Sequence, residues 1–136
     1  MAKVIATAEA ENNGEIYQTK VCVNHHTLIV DEPPEVGGKD TGPAPGDYLC
    51  MALASCTAIT LRMYVDRKKW QVEKIKVKVM LVKGTETPSG NNTFYCSLSF
   101  VGVLDSEQQK RLQQIASACP IHRLLHKPSD IFTVLE

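Results

Sequence analysis

The sequence predicts an α+β fold, in which antiparallel sheets accompany one long, buried central helix. Residues 48–65 are almost entirely apolar or small, with Arg62 as the single charge. A helix that is apolar on every side is typically buried on every side. Segments before and after this stretch alternate between apolar and polar residues, which is the period of a β-strand. Turn residues separate the alternating segments, so neighbouring strands are expected to run antiparallel.

The length and composition favour one domain, residues 1–136, of a cytoplasmic protein. Fifteen basic and fifteen acidic residues give a net charge of zero, which offers no field to attract nucleic acid or an anionic membrane. The first 17 residues lack the apolar segment of a signal peptide. Five cysteines are an odd number, and we expect them to be reduced thiols in the cytoplasm.

The N-terminal part predicts an antiparallel meander. Three β-prone runs, at residues 3–9, 15–23 and 26–31, are separated by turn signals at Asn12-Asn13-Gly14 and Asn24-His25-His26. Residues 31–45 follow, rich in Pro and Gly and without periodicity. A loop of this length is often functional, and a plain surface connection is an equally weighted alternative.

The apolar stretch predicts a helix from Asp47 to Lys68. Pro43 and Pro45 precede the run, and Asp47 lies in the first turn, where an acidic side chain complements the helix dipole. About 18 apolar residues is also the lower limit for a membrane span. Several polar residues and Arg62 interrupt this run, and no second such run exists, so we favour a protein core. A second copy of the chain is a candidate for part of the cover.

The second half predicts a hairpin, two helices and a last strand. Alternating runs at 75–81 and 93–103 flank a turn at 84–92. Lys74, Lys76 and Lys78 alternate with the apolar residues of the first run, which favours a solvated strand face over a nucleic-acid site. Asp105 or Ser106 begins a helix, and Pro120 starts a second, short one with Cys119 as its N-cap. Residues 131–135 are predicted to form a strand.

The positions of the five cysteines predict different environments for their thiols. Cys119 stands where helix N–H groups and the positive end of the dipole stabilise a thiolate. Cys56, in the middle of an apolar helix, is expected to stay protonated unless a cation or donor reaches it from elsewhere. Cys50 lies about 120° round the helix and roughly 9 Å along it from Cys56, too far for a disulfide. Cys22 is expected to be a strand residue, and Cys96 a small core hydrophobe.

A zinc site is the competing use of these side chains. Cys119 and His122, and His122 and His126, have ligand-like spacings. A second Cys pair and a Glu after His122 are missing, so we expect no metal. The sequence also contains no phosphate loop and no dinucleotide fingerprint, and no cofactor is expected.

Two cysteine-centred segments resemble a known family. GGKDTGPAPGDYLCMALASCTAIT at residues 37–60 and CPIHRLL at residues 119–125 resemble the OsmC/Ohr family of cysteine-dependent peroxidases. The similarity is greatest to its small OsmC-like redox-protein branch. The resemblance implies an OsmC-like intertwined homodimer with two active sites at the interface.

The resemblance also implies a peroxidase mechanism and its residues. Cys56 would attack an organic hydroperoxide, Cys119 would resolve the sulfenic acid as a disulfide, and a dithiol would reduce that disulfide. The family places an acid ten residues before the first cysteine; Gly46 occupies that position here, and Asp47 follows it. Asp47 is therefore a candidate that would act across the dimer.

One departure from the family leaves alternatives open. The family's N-terminal Arg, which helps to hold the thiolate, has no counterpart, because no Arg precedes Arg62. One alternative is a non-enzymatic thiol sensor or a small-ligand-binding dimer on the same scaffold. Another is a structural protein without a redox role.

Overall fold

The computed structural model describes residues 2–136 and confirms the predicted α+β fold, with antiparallel sheets and a long helix. The chain divides into two compact units, of which one ends at Leu49 and the other begins at Cys50. The interpretation of residues 1–136 as a single domain stays a prediction.

The first unit contains a three-stranded antiparallel meander, as predicted. Its strands are β1 (Glu9–Glu11), β2 (Thr19–Val23) and β3 (His26–Val30), in that order across the sheet. The turn between β2 and β3 is tight, since Cys22 pairs with Thr27 and Val23 pairs with His26. Asn24 occupies this turn with φ 55°, a left-handed conformation that Asn tolerates well.

The predicted first strand, residues 3–9, is wrong in its position. Residues 2–8 have no regular structure, and the strand covers Glu9–Glu11 instead. Glu9 pairs with Cys22, so extending the pairing by two residues would place Thr7 opposite the turn residue Asn24. The partner strand ends there, and a strand without a partner leaves its backbone groups unpaired.

The second strand begins later than the predicted residue 15. The Asn12 side-chain amide donates hydrogen bonds to the carbonyl oxygens of Glu15 (2.9 Å) and Gln18 (3.0 Å). These bonds hold residues 12–18 as a connection rather than as part of the ladder. The strand β2 therefore starts at Thr19.

A single buried carboxylate organises the Pro- and Gly-rich loop. Asp31 is 1% exposed and accepts hydrogen bonds from the Thr41 hydroxyl (2.6 Å) and from the backbone N–H groups of Tyr17, Glu32 and Thr41. The Thr41 hydroxyl does most to hold the pKa of Asp31 well below its usual range; burial opposes this effect, and the three N–H groups add to the lowering. The loop is thus tied back to β3 across ten residues.

The long helix α1 extends from Pro45 to Lys68, close to the predicted range. The Asp47 carboxylate accepts a hydrogen bond from the Ala44 N–H (2.9 Å) at its first turn. Its buried residues lie at helical spacing: Leu53, Thr57, Leu61, Tyr64 and Val65. Met51, Ile59 and Met63 are exposed, so one chain covers only part of this helix.

By length and composition alone, α1 could cross a membrane. Core helices of soluble proteins meet the same criterion, so it is a weak one. Within a single chain, 28% of its most apolar 18-residue window is buried.

The second unit contains a long antiparallel hairpin of β4 (Val72–Val82) and β5 (Thr93–Gly102). The register shifts by one residue between Val72 and Lys74, which marks a bulge at the start of β4. The Arg62 guanidinium donates hydrogen bonds to the carbonyl oxygens of Val72 (2.7 Å) and Glu73 (3.3 Å) at this bulge. The one charge of the apolar stretch therefore ties α1 to the hairpin.

The helix α2 (Ser106–Ala116) begins as predicted. Asp105 is its N-cap, and the Asp105 carboxylate and the Gln108 side chain form a reciprocal capping box. Arg111 donates a hydrogen bond to the Tyr64 hydroxyl (3.1 Å) and links α2 to α1. The core of this unit comprises Leu61, Tyr64, Val65, Val72 and Leu112.

The short helix α3 (Pro120–His126) follows with Pro at its first turn and Cys119 as its N-cap, as predicted. The predicted last strand at residues 131–135 is wrong. Residues 127–136 form no helix or strand, and Ile131, Phe132 and Leu135 are 88–99% exposed. No strand among residues 2–136 pairs with this segment, and an isolated strand cannot satisfy its backbone groups.

Candidate active site

The two cysteines of interest lie on α1 and at the start of α3. Cys56 is in the middle of α1 and is half-buried. Cys119 joins α2 to α3 and has no exposed surface. Its carbonyl oxygen accepts a hydrogen bond from the Arg123 N–H (3.1 Å), so its backbone forms part of the first turn of α3.

The fold brings these two thiols together. The Cys119 thiol lies within hydrogen-bonding reach of the Cys56 sulfur. The Ile121 backbone N–H and the Thr60 hydroxyl are also placed to donate hydrogen bonds to the Cys56 sulfur. Thr60 lies one turn further along α1, and Ile121 is in the first turn of α3. Sequence reasoning identified both cysteines but missed these two donors.

The surroundings of Cys56 favour its neutral form. Burial raises the pKa of the Cys56 thiol, and the neighbouring Cys119 thiol raises this pKa further. The Ile121 N–H and the Thr60 hydroxyl lower the pKa, but they do not offset the first two effects. The groups that act most strongly on Cys56 include no cation. A resting thiol at Cys56 therefore agrees with the sequence prediction.

The third candidate residue, Asp47, is exposed at the first turn of α1. Its carboxylate is engaged by the Ala44 N–H, which is a helix-capping interaction. A catalytic role for Asp47 stays a prediction.

The remaining cysteines are also free thiols. Cys96, predicted to be a core residue, is exposed. It pairs with Val79 in the hairpin and shares a strand face with Phe94 and Leu98. Alternation along a strand correctly indicates which residues share a face, but it does not indicate whether another element covers that face.

Two cavities adjoin this face of β5 within the second unit. Their volumes are about 600 Å³ and about 920 Å³. Phe94, Cys96 and His122 line both of them. Residues 2–136 contain no group of three or more His, Cys, Asp or Glu side chains that could hold a metal ion.

A comparison with known protein families establishes the family of this chain. The family model described as OsmC-like protein matches residues 38–133, which is more than half of the chain. The chain belongs to the OsmC-like protein family. Both Cys56 and Cys119 lie inside the matched range.

Solved structures of other OsmC-like proteins share the fold at low sequence identity. An OsmC-like protein from Mycoplasma pneumoniae is 18% identical, with a TM-score of 0.73 over 93% of this chain and 89% of that one. A structure named for an osmotic stress induced and detoxification response protein from Psychrobacter arcticus is 20% identical, with a TM-score of 0.73 over 90% of both chains.

A third OsmC-like structure is named as an organic hydroperoxide resistance protein from Legionella pneumophila. It is 19% identical to this chain, with a TM-score of 0.63 over 92% of this chain and 91% of that one. A comparison of the sequence with curated proteins finds no match.

Proposed function

We propose that this OsmC-like protein is a thiol peroxidase that reduces organic hydroperoxides. Cys56 is the thiol that reacts with peroxide, and Cys119 is the thiol that resolves the product. The observation that carries the proposal is the adjacency of a half-buried Cys56 thiol and a fully buried Cys119 thiol. The name of the Legionella structure, an organic hydroperoxide resistance protein, supports the choice of substrate class.

The proposed reaction has three steps. The Cys56 thiolate attacks the terminal peroxide oxygen, the O–O bond breaks, and the alcohol leaves as Cys56 becomes a sulfenic acid. The Cys119 thiol then condenses with the sulfenic acid, which forms the disulfide and releases water. A dithiol reduces the disulfide by two exchanges and leaves as its own disulfide.

The different exposures of the two sulfurs suit these roles. Partial exposure of Cys56 gives a small peroxide access to its sulfur. Complete burial of Cys119 keeps its sulfur from direct oxidation. Because Cys119 already lies beside Cys56, condensation can compete with further oxidation of the sulfenic acid.

The raised pKa of Cys56 calls for an additional activating group. A thiolate is the nucleophile, and no cation is among the groups that act most strongly on Cys56. We infer that a second copy of the chain completes the site, in a homodimer that uses the exposed apolar face of α1. A carboxylate would not itself stabilise the thiolate, so Asp47 of that copy is proposed as an acid of the site and not as the activating group. The cytoplasm is proposed as the compartment that supplies the dithiol.

A non-enzymatic thiol sensor is the second candidate function. The raised pKa of Cys56 favours it, because a mostly protonated thiol reacts slowly with peroxide. A sensor would form the same disulfide once per oxidation event but would not turn over with a dithiol at a useful rate.

Catalytic turnover separates the two candidates. Consumption of cumene hydroperoxide is followed with dithiothreitol as the reductant, for the wild type, Cys56→Ser and Cys22→Ser. The proposal expects many turnovers per chain for the wild type and for Cys22→Ser, and background consumption for Cys56→Ser. A wild-type rate equal to that of Cys56→Ser would refute the peroxidase and leave the sensor.

A further inference from the structure

Three positive charges lie round one aromatic ring at the end of α1. Arg67 and Lys68 belong to the last turn of α1, and Arg111 belongs to α2. Their charged groups lie 5.6, 5.8 and 5.8 Å from the centroid of the Tyr64 ring, which is the range of a cation–π interaction. Any two of these charges are therefore separated by less than twice the longest of those distances. We call these three side chains the cationic cluster.

Hydrogen bonds fix the position of Arg111 in the cationic cluster. Its Nε donates to the Tyr64 hydroxyl (3.1 Å), and its Nη1 donates to the side-chain oxygen of Gln114 (3.1 Å). The other N–H groups of its guanidinium make no hydrogen bond within residues 2–136. The Tyr64 side chain is 6% exposed and belongs to the core. Arg111 is thus anchored to a packed ring, with donors left over for a ligand.

The cationic cluster has no carboxylate partner in the described part of the chain. Asp66, which precedes Arg67, forms its ion pair with Arg62 (3.7 Å). Glu107, in the first turn of α2, forms its ion pair with Lys110 (3.9 Å). Salt screens charges over about 8 Å at physiological ionic strength, so the mutual repulsion within the cluster is only partly screened. An anion bound between these side chains would remove that repulsion.

The dipole of α1 accounts for only part of the cationic cluster. The negative end of a helix stabilises basic side chains in its last turn, and this explains Arg67 and Lys68. Arg111 lies in the middle of α2, where no helix end favours a cation. Lys69 follows α1 with φ 59°, a left-handed conformation that glycine adopts without strain. This helix end thus carries a further basic residue at a position where glycine would cost less.

We propose that the cationic cluster binds a phosphate group. A phosphate dianion supplies the counter-charge that the cluster lacks, and its oxygens match the forked donors of an arginine. Arg67 and Lys68 are exposed, so their long side chains can close on an anion held by Arg111. Trp70, half-buried and in edge contact with the Tyr64 ring at 5.5 Å, offers an apolar surface beside the site for the organic part of the ligand.

The proposed site is independent of the proposed peroxidase. None of the three cysteine and acid candidates, Cys56, Cys119 and Asp47, belongs to the cationic cluster. The chain has no net charge, so binding depends on these local charges and weakens as the salt concentration rises. Phosphate esters occur both as small soluble molecules and as lipid headgroups, and the tests below distinguish these two sources.

The first test is a titration with phenyl phosphate, a monoester that is mostly a dianion at pH 7. Two-dimensional ¹H–¹⁵N NMR follows the backbone signals of residues 66–70 and the side-chain Nε–H signal of Arg111. Sodium chloride keeps the ionic strength constant. We expect saturable shifts of these signals in the wild type. Shifts that do not saturate, or that chloride alone reproduces, overturn the proposal.

Variants of the cluster sharpen this titration. Lys68→Gln is expected to weaken the binding of phenyl phosphate about tenfold, because one charged donor is lost. Arg111→Lys keeps the charge but loses the fork, and it is expected to weaken binding as well. Lys78→Gln, which removes an exposed charge of β4, is the control and should bind like the wild type. Unchanged signals outside the cluster show that each variant is folded. Equal affinities of Lys68→Gln and Lys78→Gln overturn the proposal.

The second test is sedimentation with phosphatidylcholine vesicles that contain phosphatidic acid. If the ligand is a lipid headgroup, the wild type sediments with the vesicles, and both Lys68→Gln and excess phenyl phosphate reduce the sedimented fraction. If the ligand is a small soluble monoester, the wild type stays in the supernatant although it binds phenyl phosphate. Failure to bind phenyl phosphate overturns the proposal whatever the vesicles show, and it leaves the thiol chemistry of Cys56 and Cys119 untouched.

Discussion

Burial, together with two groups at the start of α3, governs the pKa of the Cys56 thiol. The Cys119 thiol favours the neutral form of Cys56, and the Ile121 N–H favours its thiolate. Burial is the largest effect, the Cys119 thiol adds to it, and together they raise the pKa of Cys56. In the proposed mechanism, the neighbour that would resolve the sulfenic acid therefore also contributes to the raised pKa of the resting Cys56 thiol.

The rate of alkylation of Cys56 by iodoacetamide should reveal this balance. We expect the rate to rise about tenfold per pH unit from neutral pH until the raised pKa is passed, because only the thiolate reacts. The Cys119→Ala variant should react faster at pH 7, since one cause of the raised pKa is removed. Cys22→Ala is the control. Alkylation that is already maximal at pH 6 would contradict the raised pKa.

The lowered pKa of Asp31 predicts how the stability of the first unit changes at acid pH. Its folded pKa lies below the unfolded value of about 3.9. The carboxylate's contribution to the free energy of unfolding is therefore complete above about pH 4, and it is lost as the pH falls towards the folded pKa.

The Asp31→Asn variant should lower the melting temperature at pH 7 and flatten the loss of stability below pH 4. The reason is that Asn offers one oxygen acceptor where the carboxylate accepts from Thr41, Tyr17 and Glu32. Thermal unfolding monitored by circular dichroism measures both effects, with the exposed Asp40→Asn as control. Equal melting temperatures for Asp31→Asn and the wild type would show that the loop does not depend on this carboxylate.

At the scale of elements, the sequence predicted the helices, whose ends depend on nearby residues. It did not predict the strand bounds correctly, because these depend on a pairing strand elsewhere in the chain. Apolar spacing predicted α1, the capping residue Asp105 predicted the start of α2, and Pro120 predicted the start of α3. Each of these signals lies in or next to the helix that it specifies. The strands at 3–9 and 131–135 were predicted from β-prone residues alone, but a strand exists only where another strand pairs with it. Asp31 was missed because its partner Thr41 lies ten residues away in an irregular loop.

For the candidate site too, the sequence predicted the positions of the cysteines along the chain but not the contacts between elements. The position of Cys56 within α1 followed from periodicity, and that of Cys119 as the N-cap of α3 followed from Pro120. The contact of Cys56 with Thr60 and Ile121, and the exposure of Cys96, depend on how α1, α3 and the hairpin pack. Packing between elements is not encoded in any single segment.

The capping box of α2 should contribute measurably to stability, because α2 leads directly to Cys119. Asp105→Ala leaves the Gln108 N–H without its side-chain acceptor. We expect a loss of about 0.5–2 kcal/mol in the free energy of unfolding, measured by urea denaturation. Ser106→Ala, at the adjacent first helical position, is the control. A loss for Ser106→Ala as large as that for Asp105→Ala would contradict the capping role.

At the scale of the whole molecule, the exposed face of α1 is the feature that one chain does not account for. Met51, Ile59 and Met63 are 45%, 54% and 66% exposed. They recur at multiples of four residues and so lie along one side of the helix. An apolar helical stripe of this kind is typical of an interaction surface, which is the basis for the proposed homodimer.

A charge on this stripe should separate the two copies of the proposed dimer. Met63→Glu would place a carboxylate in an apolar interface, where burial of an unpaired charge is costly. Sedimentation velocity is expected to show the mass of two chains for the wild type and of one chain for Met63→Glu. Met80→Glu, at a 51% exposed position of β4, is the control. A wild-type protein with the mass of one chain would remove the dimer from the account.

The adjacency of Cys56 and Cys119 is the central claim, and a peptide map tests it most directly. The reduced protein receives one equivalent of cumene hydroperoxide without reductant, is quenched with an alkylating reagent within seconds, and is digested for mass spectrometry. We predict a Cys56–Cys119 disulfide that dithiothreitol reverses, with Cys22 alkylated. Free, alkylated Cys56 and Cys119 beside unconsumed peroxide would contradict the claim that these two thiols form a peroxidatic pair.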